Sequence, residues 1–344
     1  MFEIDGSFGE GGGQIVRTAV AASAATGAEI RIINIRARRQ QPGLAAQHIA
    51  AVKLVADMCG AHVEGLSPGS RQIAFSPGPL KAGHYTADVG TAGSIPLVLQ
   101  AGVLAASFSP GETSLTVTGG TDVRKAPSID YFQNVQCPLL AKMGIEASVE
   151  IKKRGYFPRG GGEVAARIRP PAQKPSPLRL EGPGRISAIK GRVHVVNLSQ
   201  DIMHRMSKTA LAELKSFPAR AVIEEALPAG TGEGTGITLW AESEYSVLGS
   251  CALGERGLRA ENIGALAGRE LAAEIKAGAG VDIHAADQLV PYMALGSGGA
   301  STVRASSSHL ETVIWLMGKV TGATFKTEKK YGLARIECVP GRPS

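Results

Sequence analysis

One pattern recurs three times along the chain: an apolar helix that stops at a glycine, then a strand, a turn and a second strand. It reads VKLVADMCGAHVEGLSPGSRQIAFSP, then LLAKMGIEASVEIKKRGYFPRGGGEVAARIRP, and last IWLMGKVTGATFKTEKKYGLARIECVP. The glycines that end the helices, Gly60, Gly144 and Gly322, suit left-handed C-caps. The last gap between them is longer than the first by roughly 94 residues, one repeat plus an insertion. Mixing helix and strand within each repeat excludes all-helical and all-strand folds. It predicts an α+β chain of three units, each a few strands backed by two helices.

The insertion has a natural place. After the proline-rich linker RPPAQKPSPLRLEGPG comes an apolar strand from Ile189 to Val196 and a helix around DIMHRMSKTALAELKS. Three strand-like runs follow, then a long helix from about Asn262 to Lys276. This predicts a small α/β domain over 185–277 set into a larger domain formed by 1–184 and 278–344. The GTGEGTG stretch at 230–236 reads as a mobile strand connection, since no helical pattern follows it.

With 344 residues and 44% of them hydrophobic, the chain can bury a sizeable core. It has no run of about 18 apolar residues and no basic region leading into an apolar start, so a cytoplasmic protein with no membrane contact is expected. Cys59, Cys137, Cys251 and Cys338 stand far apart without zinc spacing, which fits a reducing compartment. A net charge of +7 favours a polyanionic partner.

The start, IDGSFGEGGGQIVRT, runs a strand through glycines into a helix. Such loops hold anions on free backbone N–H groups, yet this one is neither a Walker loop nor a G-x-G-x-x-G turn. Glu10 is acidic where an anion site should be basic; a divalent metal between carboxylate and phosphate would resolve that, and a tight turn with a surface acid is the plainer reading. Arg17 falls near the end of the first helical turn. Next come Arg31, Arg36, Arg38 and Arg39, then Gln47 and His48. Strand alternation would put Arg36 and Arg38 on one face and Arg39 on the other; phosphate contact and a solvated edge both fit.

Gln100 is the one polar side chain in an apolar helix and needs a partner, either a ligand or a structural hydrogen bond. Asp287 and Gln288 could read a ribose or base edge, although locally Asp287 reads as a helix cap. His309 follows three serines at the head of an apolar helix. The helix field there disfavours imidazolium and leaves a neutral ring nitrogen as nucleophile, though most lone histidines are not catalytic. A lysine-type nucleotidyl transferase is excluded, because EIDG has Glu3 where K-x-D-G needs lysine.

Together these segments resemble the RNA 3′-terminal-phosphate cyclase family, in its catalytic, histidine-containing branch. RGYFPRGGGEV, residues 154–164, is similar to the family signature R-G-x-x-P-x-G-G-G-x-[LIV]. GEGGGQIVRT, PGLAAQH, GTAGSIPLVLQ, GGTD, ADQLVPYMAL and SHL match in order along essentially the whole chain. The resemblance implies three βαβαββ-like units related to enolpyruvyl transferases, with a thioredoxin-like insert. It implies conversion of an RNA 3′-phosphate to a 2′,3′-cyclic phosphate with ATP and Mg2+ or Mn2+, through a histidyl-AMP at His309, releasing AMP and diphosphate.

Carried over by position, Gln100, His284, Ala285, Ala286, Asp287 and Gln288 match the family's ATP site, and Glu10 matches its metal-assisting acid. Arg17, Arg39 and Gln47 match positions near the phosphates or the RNA end. A homodimer is left open. Two departures stand out: His284 replaces a usual tyrosine, and RARRQQPG has Arg38 where a glycine and Gln41 where a basic residue can occur. The rivals are a non-catalytic, cyclase-like RNA-binding or ribosome-assembly protein, which would lack the nucleophile, and an enolpyruvyl transferase, which would need no histidine.

Overall fold

The computed structural model describes residues 1–341. Its elements fall into three successive sets with one strand order. The first holds β1 (Phe2–Asp5), α1 (Gly13–Thr26), β2 (Ile30–Ile33), α2 (Ala46–Cys59), β3 (His62–Glu64) and β4 (Ile73–Ser76), in the order β1-β2-β4-β3. The second holds β5 (His84–Asp88), α3 (Ile95–Ala106), β6 (Thr113–Gly119), the helical turns α4 (Ile129–Tyr131) and α5 (Cys137–Ala141) joined by a π-helical turn, β7 (Glu146–Gly155) and β8 (Gly162–Arg169). Its strands run β5-β6-β8-β7. In each set the first two strands are parallel and the rest antiparallel.

The third set opens with β9 (Leu178–Leu180). It resumes about a hundred residues later in α8 (Ile283–Leu295), β15 (Gly299–Val303), α9 (Ser308–Thr321), β16 (Thr324–Lys330) and β17 (Leu333–Val339), ordered β9-β15-β17-β16. Between them lie β10 (Ile186–Val196), α6 (Asp201–Leu214), β11 (Ala221–Ala226), β12 (Gly230–Thr231), β13 (Gly234–Ser243), β14 (Val247–Leu253) and α7 (Ala260–Ala277). Four of these strands form a separate mixed sheet, β11-β10-β13-β14, whereas β12 crosses to pair with β7. The 230–236 stretch is therefore strand and turn, and it does not line the cleft described below.

Local sequence explains the elements. In β6, Thr113, Leu115, Val117 and Gly119 are buried and alternate with outward residues, the period of a strand with one covered face. Burying Leu115 and Val117 fully contributes about 1.5–3 kcal/mol each. The buried apolar residues form two clusters. One spans all three sets and takes in Trp240 and Val247 of the inserted segment; the other, from Ile189 to Ala272, lies within that segment.

Two local expectations are corrected. β2 ends at Ile33, so of the four arginines Arg31 alone lies on a strand; Asn34 and Arg36 take left-handed φ of 52° and break the alternation. The second helix-ending glycine also sits later than expected. α5 closes in right-handed geometry at Lys142, and Gly144 turns left-handed two residues further on.

Candidate active site

A cleft of about 900 Å3 draws its walls from all three sets and from Cys251 of the insert. Five helices begin at it. Gly13 and Gln14 of α1, Gln47 and His48 of α2, Leu97 of α3, Ile283 and His284 of α8, and His309 of α9 all line it from the first turn or its edge. Unpaired N–H groups and the positive ends of five helices make a strong field for anions. Arg17, Arg36, Arg39, Arg124 and Lys125 add side-chain charge, against the carboxylates of Glu10 and Asp287.

The glycine loop lets acidic and aromatic groups fold back onto it. The Glu10 N–H donates to Thr312 Oγ1 of α9 at 3.1 Å, and its carboxylate pairs with Arg39. A Cβ on Gly12 would lie 2.1 Å from Glu10 Oε2, and one on Gly13 would lie 2.0 Å from His48 Nε2. The His48 ring is fixed from its other side, where Nδ1 accepts the Ala45 N–H at 3.0 Å. Burial, with Arg17 and Arg36 nearby, pulls its pKa down to about 3, so the ring is neutral.

His309 stands in the first turn of α9, whose cap is Ser307 accepting the Leu310 N–H at 3.1 Å. About half of its side-chain surface is open, at 51%. Burial of the rest, then Arg17, Arg39 and His284, holds its pKa below the usual 6.5. Its Nδ1 is 3.3 Å from Gln14 Oε1 and 3.9 Å from Glu10 Oε2. Gln14 Nε2 donates in turn to Asp287 Oδ2 at 2.7 Å. Burial pushes the Asp287 carboxyl up to about 7, opposed by Gln14 and Arg17. Arg17 is 7% exposed, its Nε has no partner among the described residues, and burial draws its pKa down to about 10. A buried guanidinium left incompletely paired beside an open cleft is suited to an incoming anion.

The structure brings most of the expected residues together. Glu10, Arg17, Arg39, Gln47, Gln100, His284, Asp287, Gln288 and His309 line the cleft. Ala285 and Ala286 do not; they are buried in the core behind it. Gln47 also clamps α3, its Oε1 accepting the Ser94 N–H at 2.9 Å. Two readings change. Asp287 caps nothing: Asp282 caps α8, accepting N–H groups of His284 and Ala285 at 2.9 Å, and frees Asp287 to face Gln14. Arg36 and Arg39 share the cleft that strand alternation would have divided between two faces.

Gln14 was missed, because its one signal is being the first polar side chain after a glycine run. Tyr131, Arg124 and Lys125 carried none. Among the described residues no three His, Cys, Asp or Glu side chains are placed to hold a metal ion.

The RGYFPRGGGEV motif lies outside the cleft lining. Arg154 is buried between Asp122 at 2.9 Å and Asp130 at 2.6 Å, and Asp130 also meets Arg192 of the insert at 3.2 Å. This motif holds the second set and the insert together.

The arrangement suits phosphate-rich ligands, with a ring nitrogen at the cleft wall. Residues 8–327 match the family model described as RNA 3′-terminal phosphate cyclase. Curated relatives called RNA 3′-terminal phosphate cyclase include one from Nitrosospira multiformis, 46% identical over 99% of this chain and 97% of its own. One from Methanosarcina barkeri is 44% identical over 98% and 99%, and one from Pyrococcus furiosus 41% over 96% of each. The chain belongs to the RNA 3′-terminal phosphate cyclase family. Among solved structures, EPSP synthase from Acinetobacter baumannii covers 64% of this chain and 56% of its own at 13% identity. Its TM-score of 0.26 is too low to carry a fold argument. No helix among the described residues is long and apolar enough to cross a membrane.

Proposed function

We propose that this chain converts an RNA 3′-terminal phosphate to a 2′,3′-cyclic phosphodiester, using ATP and releasing AMP and diphosphate. The observation that carries it is a half-open, neutral imidazole at the head of α9, inside a cleft where five helix N-termini and buried Arg17 favour phosphate. His309 attacks the α-phosphorus and diphosphate leaves. The RNA phosphate then takes the adenylyl group, and the adjacent 2′-hydroxyl displaces AMP. Adenylylation turns a poor leaving oxygen into a good one, and the protein's share is positioning and charge neutralisation.

Gln100, His284, Asp287 and Gln288 would hold the nucleotide, while Arg17, Arg39 and Gln47 would hold the phosphates and RNA end. Glu10 is the carboxylate that would hold a divalent ion here, and the ion would neutralise phosphate charge. The two separate cores support a catalytic domain of 1–184 and 278–344 with a thioredoxin-like insert over 185–277.

Incubation with α-labelled ATP tests the reading. The protein should acquire an acid-labile, alkali-stable label that His309→Ala loses. An unlabelled wild type would make a non-catalytic RNA-binding protein the better account.

A further inference from the structure

We infer that Gln14 fixes the ring tautomer of His309: its carbonyl oxygen accepts Nδ1–H and leaves the Nε2 lone pair free for phosphorus. The inference rests on the reading of His309 as the nucleophile.

A glutamine amide has a donor end and an acceptor end, and either could face an imidazole. Here Asp287 decides once it is ionised, above its pKa of about 7, because a carboxylate can only accept. Its Oδ2 accepts from Gln14 Nε2 at 2.7 Å, so the amide donors are committed to α8 and Oε1 is turned to His309 Nδ1 at 3.3 Å. An oxygen acceptor at that nitrogen calls for a proton on it. Glu10 Oε2, 3.9 Å from the same nitrogen, is a second acceptor on that side. The other groups facing the ring, Arg17, Arg39 and His284, disfavour its charged form without choosing between its nitrogens. Unconstrained neutral histidine in water favours the opposite tautomer, with the proton on Nε2, which would leave that nitrogen without a lone pair for attack.

Three helices meet in this one relay: Gln14 is on α1, Asp287 is on α8, and His309 is on α9. α8 is fixed at its start by Asp282, which accepts the Tyr131 hydroxyl at 2.7 Å and the Gly249 N–H of the insert at 2.9 Å. The relay also fits the chemical step. The Nε2 lone pair forms the N–P bond while the bond between the α-phosphorus and the bridging oxygen breaks, and diphosphate leaves with that electron pair. No proton moves. The positive charge that develops on the ring is shared with Nδ1–H, where the Gln14 oxygen, as hydrogen-bond acceptor, stabilises it. Gln14 is thus a positioning residue.

Nitrogen-15 NMR of histidine-labelled full-length protein, with His309 assigned by its loss in His309→Ala, reads the tautomer without any turnover. Wild type should show Nδ1 protonated and Nε2 bare. Gln14→Leu should lose that preference and slow single-turnover adenylylation about 10- to 100-fold, with the ATP KM changed less than about twofold. A packing role alone would lower the Tm and leave the spectrum unchanged. Wild-type Nε2–H, or an unchanged tautomer and rate in Gln14→Leu, overturns the inference, and the wild-type spectrum decides even if the variant fails to fold. The stated tautomer in a wild type that never takes up label would overturn the cyclase reading alone.

Discussion

At the scale of single residues, the cleft is a set of groups whose charge states are set by their neighbours. In the proposed reaction His309 acts only when neutral, and its pKa lies below 6.5 because of burial and the guanidinium groups of Arg17 and Arg39. A base of lowered pKa is available above that value and lost as pH falls through it, so adenylylation should persist below pH 6.5 before it declines. Arg39→Gln removes one of the positive neighbours and releases the Glu10 carboxylate that it pairs with. Both changes favour imidazolium. The acid limb of the single-turnover pH profile should therefore move toward higher pH; an unmoved limb would show that Arg39 does not act on the ring. Glu10 and His309 were readable as single letters. Gln14 was not, because a glutamine gains meaning only when Asp287, more than 270 residues away in sequence, orients its amide.

At the scale of elements, the glycine loop and the helix heads do the work that no single side chain could. Gly13 begins α1 with no room for a methyl, since His48 Nε2 would stand 2.0 Å away on a ring already held by the Ala45 N–H. Gly13→Ala should leave the far-ultraviolet circular dichroism unchanged and cost about 1–3 kcal/mol of stability. It should slow labelling by ATP more than about tenfold through displacement of the loop. A variant that labels at the wild-type rate would mean the loop does not set the phosphate position. The glycine run was legible as an anion loop because its conformational freedom is local. The arginine segment was misread as strand because two residues in left-handed geometry, Asn34 and Arg36, reset its direction, and neither is glycine. The Asp287 cap was misassigned because the helix starts four residues earlier, at Ile283, with Asp282 as its cap.

At the scale of the whole molecule, three sets of one strand order surround a cleft, and the insert is tied in by buried charge. Arg154 is enclosed by Asp122 and Asp130, and Arg192 reaches Asp130 from the insert. Removing the guanidinium leaves Asp122 buried without its partner and Asp130 with Arg192 alone, so Arg154→Met should destabilise the protein by about 3–5 kcal/mol in denaturant titration. Because Arg154 does not line the cleft, the folded fraction should keep its ATP-labelling rate. A stable variant that fails to label would instead place this cluster in the chemistry. The motif that most specifically marks the family thus serves the architecture, whereas the residues facing the cleft come from shorter and plainer stretches.

The sequence alone determined the α+β composition, the threefold recurrence with its one long interruption, and the resemblance that singled out His309, because helix caps, strand alternation and motif spacing are properties of neighbours along the chain. The tertiary structure decided that five helix heads converge, that Arg36 and Arg39 share one cleft, and that Gln14 links Asp287 to His309. Those are contacts between residues tens to hundreds of positions apart. Their geometry depends on how the sets pack, and packing follows from the complementarity of whole surfaces, which no local stretch encodes.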